Sequence, residues 1–224
     1  MNNISANIDN IFLDINQIIE EYSVNQNITL IAVSKKKSVE AIKIAYDSGQ
    51  RDFGENYLQE SVEKIKALKD LNINWHFIGS IQSNKVKHIV ENFDWIHSVD
   101  SFKIAEKINK FCLQKKINMC IQVNLNDEES KSGIPIHAVK DFLRDCQSLE
   151  NINIRGLMTI PRPEKNFNTQ LEQFKIMKEC FDQMNMNNFN LDTLSMGMSN
   201  DYKAAIAAGS NMIRVGTKIF GERI

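Results

Sequence analysis

The chain has 224 residues, of which 42% are hydrophobic, so it can bury a sizeable core as a single unit. Its 27 Lys and Arg against 28 Asp and Glu leave a formal net charge of −1, which gives no general electrostatic pull toward nucleic acid or an anionic membrane. No window approaches the roughly 18 uninterrupted apolar residues of a membrane span, and the opening MNNISANIDNIF lacks a basic or apolar leader, so the chain reads as cytoplasmic with neither nucleic acid nor membrane as partner.

In chain order, an opening helix is expected near 5–22, followed by the strand ITLIAVS (28–34), which runs straight into Lys35, Lys36 and Lys37. Ser38 then caps a helix over 39–48 that ends at Gly49. The strands RDFGE (51–55), WHFIG (75–79), WIHSV (95–99), MCIQVNL (119–125), IRGLMTI (154–160), TLSMG (193–197) and MIRVG (212–216) follow. Helical patterns lie between them at 56–69, 84–92, 102–115, 136–147, 168–185 and 200–208. Such alternation predicts an α/β chain folded as a single (β/α)8 TIM-type barrel over residues 1–224, with an N-terminal helix. An open doubly wound sheet is the competitor, but its GxGxxG turn is missing.

Cys112, Cys120, Cys146 and Cys180 form no CxxC pair and sit in apolar-patterned segments, which predicts reduced, buried thiols. His76, His88, His97 and His137 have no metal-ligand spacing and no metal is expected; His76 and His97 read as strand residues satisfied by hydrogen bonds.

In such a barrel the chemistry belongs at the C-terminal ends of the strands. The lysine triplet is open to two readings there. It is a solvated basic loop, or else Lys35, the first residue past Ser34 able to turn into the barrel mouth, is a reactive amine whose protonation Lys36 and Lys37 disfavour. Ser195-Met196-Gly197-Met198-Ser199 is likewise either a tight turn into a capped helix or a set of N–H groups and a hydroxyl facing a phosphate. Arg214-Val215-Gly216-Thr217 offers a second small-residue turn with the same two readings.

Taken together, AVSK (32–35), AYDSGQRDFGENYLQE (45–60), WHFIGSIQSNK (75–85), ESKSGI (129–134), RGLMTI (155–160), LSMGMSNDYKAAIAAGSNMIRVGT (194–217) and IFG (219–221) resemble the pyridoxal phosphate homeostasis proteins, the YggS-like family, over nearly the whole chain. That family is related to the barrel domain of bacterial alanine racemases. The resemblance implies a fold-type III barrel in which Lys35 holds pyridoxal 5′-phosphate as a Schiff base. It also implies that Ser199, Gly216 and Thr217, with amides near Met198, form the phosphate cup. Asn56 and Met158 are then expected to line the ring pocket, and Arg214 to face the pyridine nitrogen. A guanidinium there keeps that nitrogen unprotonated, which makes the ring a poor electron sink.

The tail after Thr217 leaves no room for the extra β-domain of the racemases, so the expected role is to carry or buffer the cofactor, with amino-acid racemisation as the alternative. Apo forms of pyridoxal phosphate enzymes are the expected acceptors, and a monomer is the expected state. Family members often read AVSKTKP where this chain has AVSKKKS, a difference that bears on cofactor affinity. Lys131 in ESKSG is a further amine at the rim, a candidate for transient capture of cofactor.

Overall fold

The structure is a computed structural model that describes residues 3–113, 115–126 and 132–222. Helix α1 (Ile4–Glu21) opens it, capped by the Asn3 side chain, which accepts from the Ala6 N–H at 3.1 Å. Ile4, Ile8, Ile11, Ile15 and Ile18 recur at helical spacing and form its buried face.

The strands are β1 (Thr29–Val33), β2 (Asp52–Glu55), β3 (Asn74–Phe77), β4 (Trp95–Val99), β5 (Ile117–Asn124), β6 (Ile134–Pro135), β7 (Ile152–Thr159), β8 (Thr193–Ser195) and β9 (Met212–Val215). They run in the order β4-β3-β2-β1-β9-β8-β7-β5, and the β4 to β5 pairing closes the ring, so eight parallel strands form the expected barrel. The two-residue β6 lies outside the ring and pairs with the end of β5. It is too short to carry a periodicity, and for that reason it was not legible as a strand.

Helices α2 (Val39–Asp47), α3 (Leu58–Ala67), α4 (Val86–Asn92), α5 (Phe102–Phe111), α6 (Val139–Cys146), α7 (Phe167–Met186) and α8 (Tyr202–Ala207) connect successive strands. The helix expected over 200–208 is shorter, because Asp201 stands at its N-cap and Gly209 follows with φ +102°. A final four-residue helix, α9 (Thr217–Phe220), follows β9 in the segment expected only as a C-terminal tail.

Strand alternation divides the interior in two. Leu30, Ala32, Phe53, Trp75, Phe77, Ile96 and Met119 point outward into one apolar cluster shared with the helices, and Ile121, Val123, Leu157, Leu194 and Met196 into another. The residues between them turn into the lumen, which is strongly polar for a barrel core: His76, His97 and Ser195 are fully buried there and Arg214 is 3% exposed. All four cysteines are free and buried, and burial pushes the Cys120 thiol up to about 12. Among the described residues no helix is long and apolar enough to cross a membrane.

Candidate functional site

A cavity of about 630 Å³ opens at the C-terminal ends of the strands, a size typical of small-molecule sites. Lys35 reaches its wall because Val33 and Lys35 alternate inward while Ser34 turns outward. The outward side is pinned by a buried polar cluster. Ser34 Oγ donates to Glu55 Oε1 at 2.6 Å, and the Lys64 ammonium donates to the same oxygen and to the Ser34 carbonyl, both at 2.8 Å. Burial holds the Glu55 carboxyl above its ordinary range, with the Lys64 charge working against that shift.

The three lysines have separate settings. Lys36 takes the left-handed conformation at φ +59°, uncommon for a side-chain-bearing residue, and its N–H donates to Glu60 Oε1 at 2.6 Å. Its ammonium lies out over the Tyr57 ring, 5.9 Å from the centroid. Lys37 Nζ donates to the carbonyls of Phe220, Gly221 and Glu222 at 3.0 to 3.2 Å. Lys35 and Lys37 are both part of the cavity wall, and Lys36 is not.

Two segments far apart in sequence meet on the opposite wall, where Ser199 Oγ accepts a hydrogen bond from the Gly216 N–H at 3.3 Å and Thr217 lies next to them. Gly216 packs closely, since a Cβ there would stand 3.3 Å from the Val33 carbonyl oxygen, tighter than ordinary contact. Met198 also lines the cavity, but its N–H donates to Asp201 Oδ1 at 2.6 Å. That one amide is therefore engaged within the loop. Burial raises the Asp201 carboxyl above its usual range despite this hydrogen bond and the nearby Arg214 charge.

Arg214 enters the cavity from below. Its Nη1 donates to Ser195 Oγ at 2.6 Å and its Nη2 to the Thr159 carbonyl at 3.0 Å. Burial lowers its pKa to about 10, so it keeps its charge at neutral pH. Among the described residues no carboxylate lies within ion-pair distance of it.

Asn56 lies in the wall shared with a second, smaller cavity of about 310 Å³, and its buried Oδ1 has no hydrogen-bond partner. Met158 is the one expected residue that does not line the cavity. Leu157 packs outward, so alternation turns Met158 into the lumen, where it is 1% exposed. The seven others, Lys35, Asn56, Met198, Ser199, Arg214, Gly216 and Thr217, share one cavity. Lys131 lies outside the described residues. The segment after β7, with Ile160, Pro161, Pro163, Glu164 and Lys165, completes the rim. Its position just beyond a strand end was the only signal in the sequence that marked it.

A family model described as the alanine racemase N-terminal domain matches residues 8–224. A pyridoxal phosphate homeostasis protein from Haemophilus influenzae is 44% identical over 228 residues, covering 99% of this chain and 96% of its own. One from Escherichia coli strain K12 is 45% identical over 203 residues, covering 88% and 87%. PipY from Synechococcus elongatus PCC7942, solved with PLP bound, superposes with a TM-score of 0.86 at 34% identity, over 97% of this chain and 100% of that one. An alanine racemase from Clostridium difficile 630, 17% identical, shares the fold with a TM-score of 0.77, over 99% of this chain and 57% of its own.

Proposed function

We propose, from the premise that this chain belongs to the alanine racemase N-terminal domain family and, within it, to the pyridoxal phosphate homeostasis proteins, that it binds pyridoxal 5′-phosphate in the cavity at the barrel mouth and serves to carry or buffer it. The carrying observation is convergence: a primary amine at Lys35, a guanidinium at Arg214, and the hydroxyls of Ser199 and Thr217 beside Gly216 all line one cavity.

The residues fit such a group. Bound, the cofactor supplies an aldehyde carbon open to attack by an amine, on a ring that also bears a phosphate. Lys35 is the amine, held at the mouth by the Ser34, Glu55 and Lys64 cluster behind it. Ser199, Gly216 and Thr217 would hold the phosphate, and the unpartnered Asn56 Oδ1 would be available to a donor on the bound group. Arg214 stays cationic and would oppose a proton on a ring nitrogen placed near it.

Suppressing that proton makes the ring a poorer electron sink, which favours a holding role over racemisation, the alternative reading. Acceptors are then apo-enzymes that use the same cofactor, with the protein acting as a monomer. The test is an absorbance spectrum of the protein after incubation with pyridoxal phosphate, borohydride reduction, and mapping of the modified residue. A label on Lys35 with no exchange of amino-acid α-protons in deuterated water supports the carrier. A label elsewhere, or ordinary turnover of α-protons, overturns it.

A further inference from the structure

We infer that Asp52, His76, His97 and Ser195 form a directed hydrogen-bond chain through the barrel lumen that fixes Arg214, which makes Asp52 a positioning residue for that arginine although it lies at the opposite end of the barrel. Asp52 is the first residue of β2, at the N-terminal end of the strands, whereas the cavity opens at their C-terminal ends. His76 Nε2 is 3.0 Å from Asp52 Oδ1, His76 Nδ1 is 3.0 Å from His97 Nε2, and His97 Nδ1 is 2.9 Å from Ser195 Oγ. Arg214 Nη1 completes the line at 2.6 Å from the same hydroxyl.

The two ends dictate the direction. A guanidinium only donates and a carboxylate only accepts. Asp52 therefore accepts from His76 Nε2–H, and Ser195 Oγ, which accepts from Arg214, has its own proton to give to the His97 Nδ1 lone pair. His97 must then carry its hydrogen on Nε2, which donates to His76 Nδ1, and His76 Nε2–H donates to Asp52. Both rings are neutral and both are Nε2–H tautomers. With the hydrogens on Nδ1 instead, the Asp52 carboxylate would face the His76 Nε2 lone pair, two acceptors with no hydrogen between them. With both hydrogens on Nε2, a proton added to His76 would set its Nδ1–H against the His97 Nε2–H, donor against donor.

The surroundings leave these groups little alternative. His76, His97 and Ser195 are fully buried, while the Asp52 side chain is 24% exposed and also accepts from Asn74 Nδ2 at 3.2 Å. Trp95 stacks on the His76 ring at 5.6 Å and 16°, holding its plane. Four linked hydrogen bonds thus join Arg214 to the Asp52 carboxylate, whereas the Asp201 carboxylate in the cavity wall acts on it only through space. Polarised chains of this kind strengthen in a low-dielectric interior. The consequence for cofactor affinity rests on the function proposed above, whereas the direction of the chain does not.

Side-chain 15N NMR of the histidines in the ligand-free 224-residue chain at neutral pH tests it. His76 and His97 are expected to be neutral with hydrogen on Nε2. Asp52→Ala removes the terminal acceptor, so His97, two hydrogen bonds away, is expected to shift to mixed or Nδ1–H character. Asp52→Asn, which retains an accepting oxygen, is expected to restore Nε2–H. Added pyridoxal phosphate is expected to bind the alanine variant about fivefold more weakly. A charged ring, Nδ1–H on His97 in the wild type, or a His97 tautomer indifferent to Asp52→Ala overturns the inference. The wild-type tautomers decide it even where the alanine variant does not fold. Correct tautomers in a chain that binds no pyridoxal phosphate would sink the proposed function and leave the relay standing.

Discussion

The Lys37 ammonium donates to the Phe220 carbonyl at 3.1 Å, across 183 residues of chain, and also reaches the Gly221 and Glu222 carbonyls. A cation on the last carbonyls of a helix satisfies acceptors that have no partner within it. The third lysine of the triplet is thereby committed to the end of α9. Lys37→Ala is expected to cost about 1 kcal/mol in urea unfolding, while borohydride-trapped cofactor stays on Lys35. A label that moves to another lysine in this variant would contradict the separation of roles.

Gly79 follows β3 against the backbone of Asn56. A Cβ added there would lie 2.2 Å from the Asn56 carbonyl oxygen and 2.8 Å from its Cα and carbonyl carbon. No side-chain rotation relieves a clash with backbone. Gly79→Ala is expected to destabilise the fold by about 2 kcal/mol or more and to displace Asn56 from the cavity wall. Urea midpoints and cofactor titration read the two effects separately.

His97 gives stability a pH dependence of definite sign. Burial, followed by the neighbouring His76 and Arg214, holds its pKa well below the ordinary 6.5. As pH falls below about 6.5, the unfolded chain takes up a proton that the folded chain refuses, so stability is lost on acidification toward the folded-state pKa. The slope from this one ring is at most about 1.4 kcal/mol per pH unit. Urea unfolding between pH 7 and 5 is expected to show the decline, and His97→Asn to flatten it. An unchanged slope in that variant would assign the decline to other groups.

The Ser195 hydroxyl stands between Arg214 and His97, bonded to both at 2.6 and 2.9 Å. Ser195→Ala leaves a buried cationic donor and a buried ring acceptor each short of a partner. The expected cost is about 3 kcal/mol, measured by urea unfolding. A loss below about 1 kcal/mol would mean that neither group depended on the hydroxyl.

Much of the architecture is legible in the sequence because it follows from local periodicity. An apolar strand such as ITLIAVS, a Ser38 cap and a helix ended at Gly49 carry their signals within a few residues. The same alternation that makes Ser34 turn outward makes Lys35 turn inward, so its position at the mouth was readable. Met158 shows the limit of that logic: alternation turns it inward, but not how far below the cavity floor it lies.

What the chain encoded locally was therefore the ring of strands, the placement of Lys35 at a strand tip, and the small residues at 197–199 and 216–217. Closure of the ring alone decided which side chains meet across it. The partnerships of Lys37 with Phe220, Ser199 with Gly216, and Asp52 with Arg214 through two imidazoles all join residues too distant in sequence for any periodic pattern to relate. Such contacts depend on the register of eight strands at once, and polar atoms sealed in the lumen must find their hydrogen bonds among whatever that register brings opposite them.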